Sequence, residues 1–190
     1  YSDAPTRRSV DNSVSCTVER RVGAPEIDML VALANISNTY EALGRHEEAL
    51  HLRRDVYLGL LKLNGEDEGT TLLAASNYAS SLVSSNFDNQ ERFEEARSVL
   101  RKMVPVARRV LGEGHGTTLG LRANYCQALY RGESATLDDI REAVTILEDL
   151  APFARRVLGG AYPLAMSIET TLRDARAALH ARETPSPGSA

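Results

Sequence analysis

The chain has 190 residues, of which 43% are hydrophobic and 25% charged, a composition that suits one globular domain or one short repeat array. Because 22 basic residues stand against 26 acidic ones, the net charge of -4 gives no overall attraction to nucleic-acid phosphates, and nucleic acid is not expected as a partner. No apolar run approaches the roughly 20 residues that span a bilayer, so direct membrane insertion is not expected either.

The spacing of the apolar residues predicts an all-helical chain. From about residue 27 onward they recur at i, i+3, i+4 and i+7, and no alternating run is long enough for a strand. The sequence ARRVLG occurs at 107–112 and again at 154–159, 47 residues later. Two further series recur at similar intervals: Ala49, Ala96 and Ala143, and Asn35, Asn77 and Asn124. A period in the forties made of two amphipathic helices is typical of a helical solenoid.

Residues 1–26 are interpreted as an N-terminal segment. The stretch VERRVGAPEIDM (18–29) imitates the helix end and joint of the later units, so the segment could be the end of a preceding repeat and the intact array could be longer. The first residue is Tyr1, which leaves a targeting segment before it open, and a soluble intracellular location is the expectation. Cys16 and Cys126 have no CxxC spacing, so both are expected to be reduced or buried thiols.

The rest of the chain divides into helix hairpins. They are predicted at about 27–63, 69–112 and 117–158, followed by a capping helix at about 163–182 and a disordered tail at 183–190. The second and third hairpins each carry five more residues in their turns than the first, around 84–90 and 131–136. These turns are candidates for partner contacts, although surface turns also tolerate insertion at little cost.

The joint LGEGHGTTLGLRANY (111–125) has three glycines in five positions, which raises the question of a phosphate-binding loop. Such a loop needs a strand before it and usually a Lys-Ser/Thr pair, whereas this segment follows a predicted helix and has no lysine. The segment is therefore predicted to join two helices. Gly112 is expected to end one helix in the αL conformation, and Thr117 or Thr118 to cap the next.

Two stretches carry a family resemblance. LANISNTYEALGRHEEALHLRRDV (33–56) resembles a tetratricopeptide repeat, and the joint at 111–125 resembles the LG-x-x-H-P-x-T-L segment of the longer repeats of kinesin light chains. Gly116 departs from that pattern at the usual proline, whereas Pro163 restores it. The resemblance implies a right-handed superhelical solenoid of antiparallel helix hairpins, with about three repeats and a C-terminal capping helix.

No catalytic, metal-binding or cofactor-binding residues are predicted. The Glu-Glu pairs at 47–48 and 94–95 are interpreted as first-turn residues that oppose the helix dipole. The Arg-Arg pairs at 53–54, 108–109 and 155–156 are interpreted as solvated, with a surface for an acidic or phosphate-bearing partner as the alternative. His46 and His51 are five residues apart, not the four of a helical metal pair. The sequence therefore favours a protein that is not an enzyme.

The resemblance implies that the first helices of the hairpins line a concave groove. The predicted partner-binding residues are Asn35, Asn38, Ser76, Asn77, Ser80, Asn124, Gln127, Tyr130 and Arg131. Their amides and hydroxyls could hydrogen-bond the backbone of a peptide, or the recurrent asparagines could instead tie helix to helix within the array. A clamp for a terminal carboxylate is not expected, because Arg122 and Arg131 are the only cations available in these helices.

These observations predict a protein-protein interaction scaffold that binds a partner protein or peptide through the groove. Two alternatives stay open: a constitutive structural subunit of a large multiprotein assembly, and the interaction module of a longer enzyme or signalling protein.

Overall fold

A computed structural model describes residues 8–84 and 89–184, with side chains from residue 25 onward. In these ranges the chain forms seven α-helices and no strand. The helices are α1 (Arg8–Ala42), α2 (His46–Asn64), α3 (Gly69–Leu82), α4 (Gln90–Leu111), α5 (Gly116–Tyr130), α6 (Leu137–Leu158) and α7 (Pro163–Glu183). The predicted all-α helical-repeat solenoid is confirmed.

The order of packing follows the order of the chain. Each helix packs on the next, and in addition α3 packs on α5 and α5 on α7. The first helices of the later hairpins therefore lie in a row, with α4 and α6 behind them. The helix ends lie close to the hairpin bounds expected from the sequence, while the division of the chain into domains stays a prediction.

Glycines end three of the helices at equivalent positions. Gly65, Gly112 and Gly159 have φ angles of 80°, 85° and 91°. Residues other than glycine rarely adopt such positive φ angles. The ψ angle of Gly112 is 163°, so this residue is extended and not in the αL conformation predicted for it. The joint thus turns sharply between α4 and α5, and it follows a helix and not a strand.

The predicted threonine caps of α5 are wrong. His115 is the N-cap, and its Nδ1 accepts a hydrogen bond from the backbone N–H of Thr117 at 3.2 Å. Thr118 lies inside the helix, fully buried, and its hydroxyl donates to the carbonyl of Ala107 at 3.3 Å. Thr71 makes the same contact one repeat earlier, to the carbonyl of Leu60 at 3.3 Å. These two hydroxyls tie each first helix to the second helix before it.

The apolar side chains form two successive clusters. The first joins α1 to α5 around fully buried side chains such as Leu72, Phe93 and Leu100. The second joins α5, α6 and α7 around side chains such as Leu147 and Ile168. Because α5 contributes to both, the core is continuous along the solenoid.

The N-terminal part of the chain differs from the expected arrangement. The sequence predicts a joint near residues 23–26, but α1 runs through it as one helix of 35 residues with Pro25 inside.

The Glu94-Glu95 pair also differs from its interpretation as a first-turn pair, since α4 begins at Gln90 and only Glu91 lies in its first turn. Residues 85–88 of one extended turn and 185–190 of the predicted disordered tail lie outside the described residues.

Candidate functional site

An open cleft of about 400 Å³ lies along the row of first helices. We call it the central cleft; it is lined by Glu41, Arg53, Ser76, Asn77, Ser80, Ser81, Val83, Ser84, Gly120, Ala123, Asn124, Gln127, Arg131, Leu164 and Ser167. Most of these side chains are small hydroxyls or amides, so the cleft offers hydrogen-bonding groups and little apolar surface. This composition suits a peptide backbone better than an apolar small molecule.

Helices α3 and α5 approach each other closely in the cleft. A Cβ atom added at Gly120 would lie 3.2 Å from Ser76 Oγ, a tight contact that explains why the position suits glycine. One turn further along, the Asn124 amide donates a hydrogen bond to the carbonyl of Ser76 at 3.2 Å. Asn124 is 9% exposed, so this asparagine mainly joins the two helices.

Asn77 occupies the equivalent position one repeat earlier but has a different environment. It is exposed, and its side chain makes no hydrogen bond to any of the described residues. The alternative that the recurrent asparagines tie helices together therefore describes Asn124 and not Asn77. Asn77 leaves an amide donor and an amide acceptor available to a bound molecule.

The central cleft contains three charged side chains, and each has a partner within the protein. Arg53 of α2 donates to Glu41 of α1 at 3.0 Å and also to the hydroxyl of Ser81. Arg131 of the α5 end donates to the backbone carbonyl of Val83 at the end of α3. The Arg53 side chain is only 14% exposed, so its charge is balanced within the protein.

A second cleft of about 350 Å³ adjoins the central one between α5 and α7. It shares Gln127, Arg131 and Ser167 with the central cleft and adds Tyr130 and Asp174, among others. Gln127 donates to the hydroxyl of Thr171 at 3.3 Å and thereby links α5 to α7. Burial raises the pKa of Tyr130 from its ordinary value of 10.0 to about 12.

The structure brings most of the predicted groove residues together. Those in the central cleft are Ser76, Asn77, Ser80, Asn124, Gln127 and Arg131. Tyr130 lies in the adjoining cleft. Asn35 and Asn38 are exposed on α1 and line neither cleft, although Asn38 accepts a hydrogen bond from Arg53 at 3.4 Å. That these residues bind a partner remains a prediction.

Several lining residues were not predicted. The interpretation of Arg53 as a solvated residue is wrong, because its side chain is only 14% exposed and it lines the cleft. Ser167 belongs to the capping helix, which was not expected to line the groove. Glu41 had no distinguishing pattern in the sequence. The one available signal was the run of serines at 80, 81 and 84 near the end of α3, which is unusual for a buried helix end.

The remaining charged candidates are largely engaged in ion pairs. Arg109 pairs with Asp67 at 2.6 Å and Arg122 with Glu113 at 3.2 Å. Arg156 lies over the ring of Phe153, 5.3 Å from its centre. Of the two cations considered for a carboxylate clamp, Arg122 is thus already paired with an acidic side chain.

Three further features bear on function: groups of metal-ligating side chains, helices that could cross a membrane, and free cysteine thiols. Within them, no group of His, Cys, Asp or Glu side chains is arranged to hold a metal ion. Nor does any helix there have the length and apolar character needed to cross a membrane. Cys126 is a buried free thiol, while the Cys16 side chain lies outside the described part of the structure.

Comparison with known families agrees with the architecture. Residues 29–67 and 85–116 match the family model of the tetratricopeptide repeat. A comparison with curated proteins finds no match. Together with the all-α fold, the two matched segments support a tetratricopeptide repeat protein.

Proposed function

We propose that this tetratricopeptide-repeat chain is a non-catalytic scaffold that binds a partner protein or peptide in the central cleft. Tetratricopeptide repeats generally mediate protein-protein interaction, which is the coarser statement that the family match supports. The observation that carries the finer proposal is Asn77, which lies exposed in a cleft of hydroxyl and amide groups with no partner among the described residues.

The chemistry of the cleft favours an extended segment with small side chains. The α3–α5 floor consists of Ser76, Gly120 and Ala123, which leave no deep apolar pocket for a large anchor side chain. Hydrogen bonds from hydroxyls and amides hold a peptide through its backbone and so tolerate variation in its sequence. An affinity of about 1 μM, or about -8 kcal/mol, is the scale expected for such a peptide.

The likeness to kinesin light chains belongs to this proposal. It is supported by the LGEGHGTTL joint, in which His115 caps α5 where the related repeats also have a histidine. The binding mode proposed for the central cleft does not depend on this subtype.

Site-specific photo-crosslinking tests the proposal. A benzoylphenylalanine placed at Ser167, an exposed residue of the cleft lining, should form an adduct with a native partner of the full chain, whereas the same group at the exposed Lys102 on α4 should not. The adduct should disappear in Ser80→Trp, which fills the cleft, and persist in the matched variant Ser98→Trp on α4. An adduct at Ser167 that survives Ser80→Trp would contradict the proposal.

A second candidate function has its own supporting observation. Leu63, Val110 and Val157 occupy equivalent positions near the ends of α2, α4 and α6, and they are 37%, 40% and 45% exposed. Such a row of exposed apolar side chains would suit a structural subunit that is held by its outer edge in a larger assembly. Adducts that form at a fixed stoichiometry from a benzoylphenylalanine at Val110, but not from one in the central cleft, would favour this second function.

A further inference from the structure

One face of α1 carries exposed apolar side chains at helical spacing. Met29, Ala32 and Ile36 follow each other at i, i+3 and i+7, and we call them the α1 stripe. Met29 is 57% exposed and Ile36 is 43% exposed. Exposed apolar side chains that share one helix face call for a covering element.

The later repeats indicate which kind of helix packs on the equivalent face. Met29 corresponds to Thr71 and Thr118, because the three residues stand 6 positions before Asn35, Asn77 and Asn124. Thr71 and Thr118 are fully buried, and each donates a hydrogen bond to a carbonyl of the second helix that precedes it. The α1 stripe is therefore the surface on which a preceding second helix would pack.

The sequence before the stripe carries the pattern of such a second helix. Valines stand at 14, 18 and 22, and in register 14 corresponds to Val56 and Met103, both of which are buried. Position 18 corresponds to Leu60 and Ala107, the residues whose carbonyls accept the threonine hydrogen bonds. Val14 and Val18 thus stand in register with buried residues of α2 and α4, and those at the register of 18 contact the next helix.

The chain also has a glycine at the position where its backbone would have to reverse direction. Gly23 stands 12 residues before Asn35, as Gly65 stands before Asn77 and Gly112 before Asn124. Gly65 and Gly112 have positive φ angles of 80° and 85° where their helices end. Pro25 lies inside α1, where it has no N–H to donate and its ring disfavours the helix over the preceding turn. The helix is therefore weakest where the repeat pattern places a joint.

We propose that residues 8–22 fold back at Gly23 as a separate helix and pack on the α1 stripe. Only the backbone near Gly23 changes between the continuous α1 and this folded-back pair. The N-terminal segment then takes the place of a preceding second helix and covers Met29 and Ile36.

Disulfide trapping tests the contact in the full chain. Val18→Cys and Met29→Cys are combined with Cys16→Ser and Cys126→Ala, so that the two introduced thiols are the only ones. On a continuous helix the two Cα atoms are about 16 Å apart, from a rise of 1.5 Å per residue, and a disulfide needs about 7 Å or less. An intramolecular disulfide under mild oxidation is the expected result, and adding Gly23→Val should reduce its yield severalfold.

The chain offers a matched control at the equivalent positions one repeat later. Leu60→Cys with Thr71→Cys, in the same background, should also form an intramolecular disulfide, because Thr71 already contacts Leu60. Trapping in the control without trapping at 18 and 29 would overturn the proposal. Disulfide-linked dimers at 18 and 29 would overturn it as well, since they would make a second copy of the chain the occupant of the stripe.

A distance measurement provides an independent check that does not depend on bond formation. Spin labels on Cys16 and Leu43→Cys, in the Cys126→Ala background, lie about 40 Å apart on a continuous helix. Folding back should shorten the main distance to about half of that value. A single distance near 40 Å would overturn the proposal.

Discussion

The Asn124 amide joins α5 to α3 by donating a hydrogen bond to the Ser76 carbonyl at 3.2 Å, at the floor of the central cleft. Asn77, its equivalent one repeat earlier, makes no such contact among the described residues. Two asparagines in the same register thus have different roles, one in stability and one as a candidate for binding.

Substitution of the two asparagines should change the free energy of unfolding by different amounts. Asn124→Ala should lower the free energy of unfolding by about 1–2 kcal/mol, because it removes a nearly buried hydrogen bond between two helices. Asn77→Ala should change it by less than about 0.5 kcal/mol, as expected for an exposed side chain. Urea unfolding followed by circular dichroism measures both, and equal losses would show that Asn77 has a structural partner.

The approach of α3 to α5 should appear as a coupling between Gly120 and Ser76. Alanine in a helix interior is normally about 0.5–1 kcal/mol more stable than glycine. At Gly120 this gain should be cancelled, because the new Cβ would lie 3.2 Å from Ser76 Oγ. The gain should return when Gly120→Ala is made in a Ser76→Ala background. A double-mutant cycle of unfolding free energies measures the coupling, and additive effects would contradict the close approach.

Arg97 should stabilise the end of α5. Its side chain, 14% exposed, donates to the carbonyls of Ala128 at 3.0 Å and Leu129 at 2.8 Å, where a cation also opposes the negative end of the helix dipole. Arg97→Ala should therefore cost about 1.5–3 kcal/mol. Arg101→Ala, an exposed position one turn later on the same helix, is the control and should cost less than about 0.5 kcal/mol. Equal thermal shifts for the two variants would argue against this role.

Cys126 predicts a pH dependence of stability at alkaline pH. Burial raises the pKa of its thiol to about 12, from an ordinary value of 9.0. Above about pH 9 the unfolded chain loses this proton while the folded chain keeps it, so stability falls as pH rises, by up to about 1.4 kcal/mol per unit. Below that pH the thiol is protonated in both states and contributes no pH dependence.

Comparison with Cys126→Ala isolates this contribution from that of the tyrosines. The unfolding free energy of the unsubstituted chain should fall more steeply between pH 9 and about 11 than that of the variant. Parallel curves would mean that the thiol is accessible in the folded state. Reaction of the native Cys16→Ser variant with a thiol reagent at pH 8 would indicate the same.

Sequence repetition predicted the fold well because the repeats are encoded locally. The glycines at 65, 112 and 159 recur in register, and each ends a helix at a positive φ angle that glycine adopts without strain. The helix caps were less predictable. His115 is the N-cap of α5, whereas Thr118 is buried and donates a hydrogen bond to the Ala107 carbonyl. A cap depends on which nearby polar group has a buried partner elsewhere, and local sequence carries no information on that.

The candidate site was only partly predictable for the same reason. Six of the nine predicted groove residues lie in the central cleft, since a helix face fixes which side chains point the same way. Arg53 enters the cleft from a second helix because Glu41 and Ser81 offer it partners there. Asn35 stays outside because α1 does not line the cleft along its whole length.

The sequence by itself determined that the chain is helical, where most helices end, and that the unit repeats, because helical periodicity, glycine and register are properties of neighbouring residues. The tertiary structure alone decided which member of each repeated series is buried. Asn124 and Asn77 are the same residue in the same register, yet Asn124 bonds to the Ser76 carbonyl and Asn77 remains exposed. The physical reason is that burial depends on which helix packs on each face, and that is fixed by the whole array and not by the repeat itself.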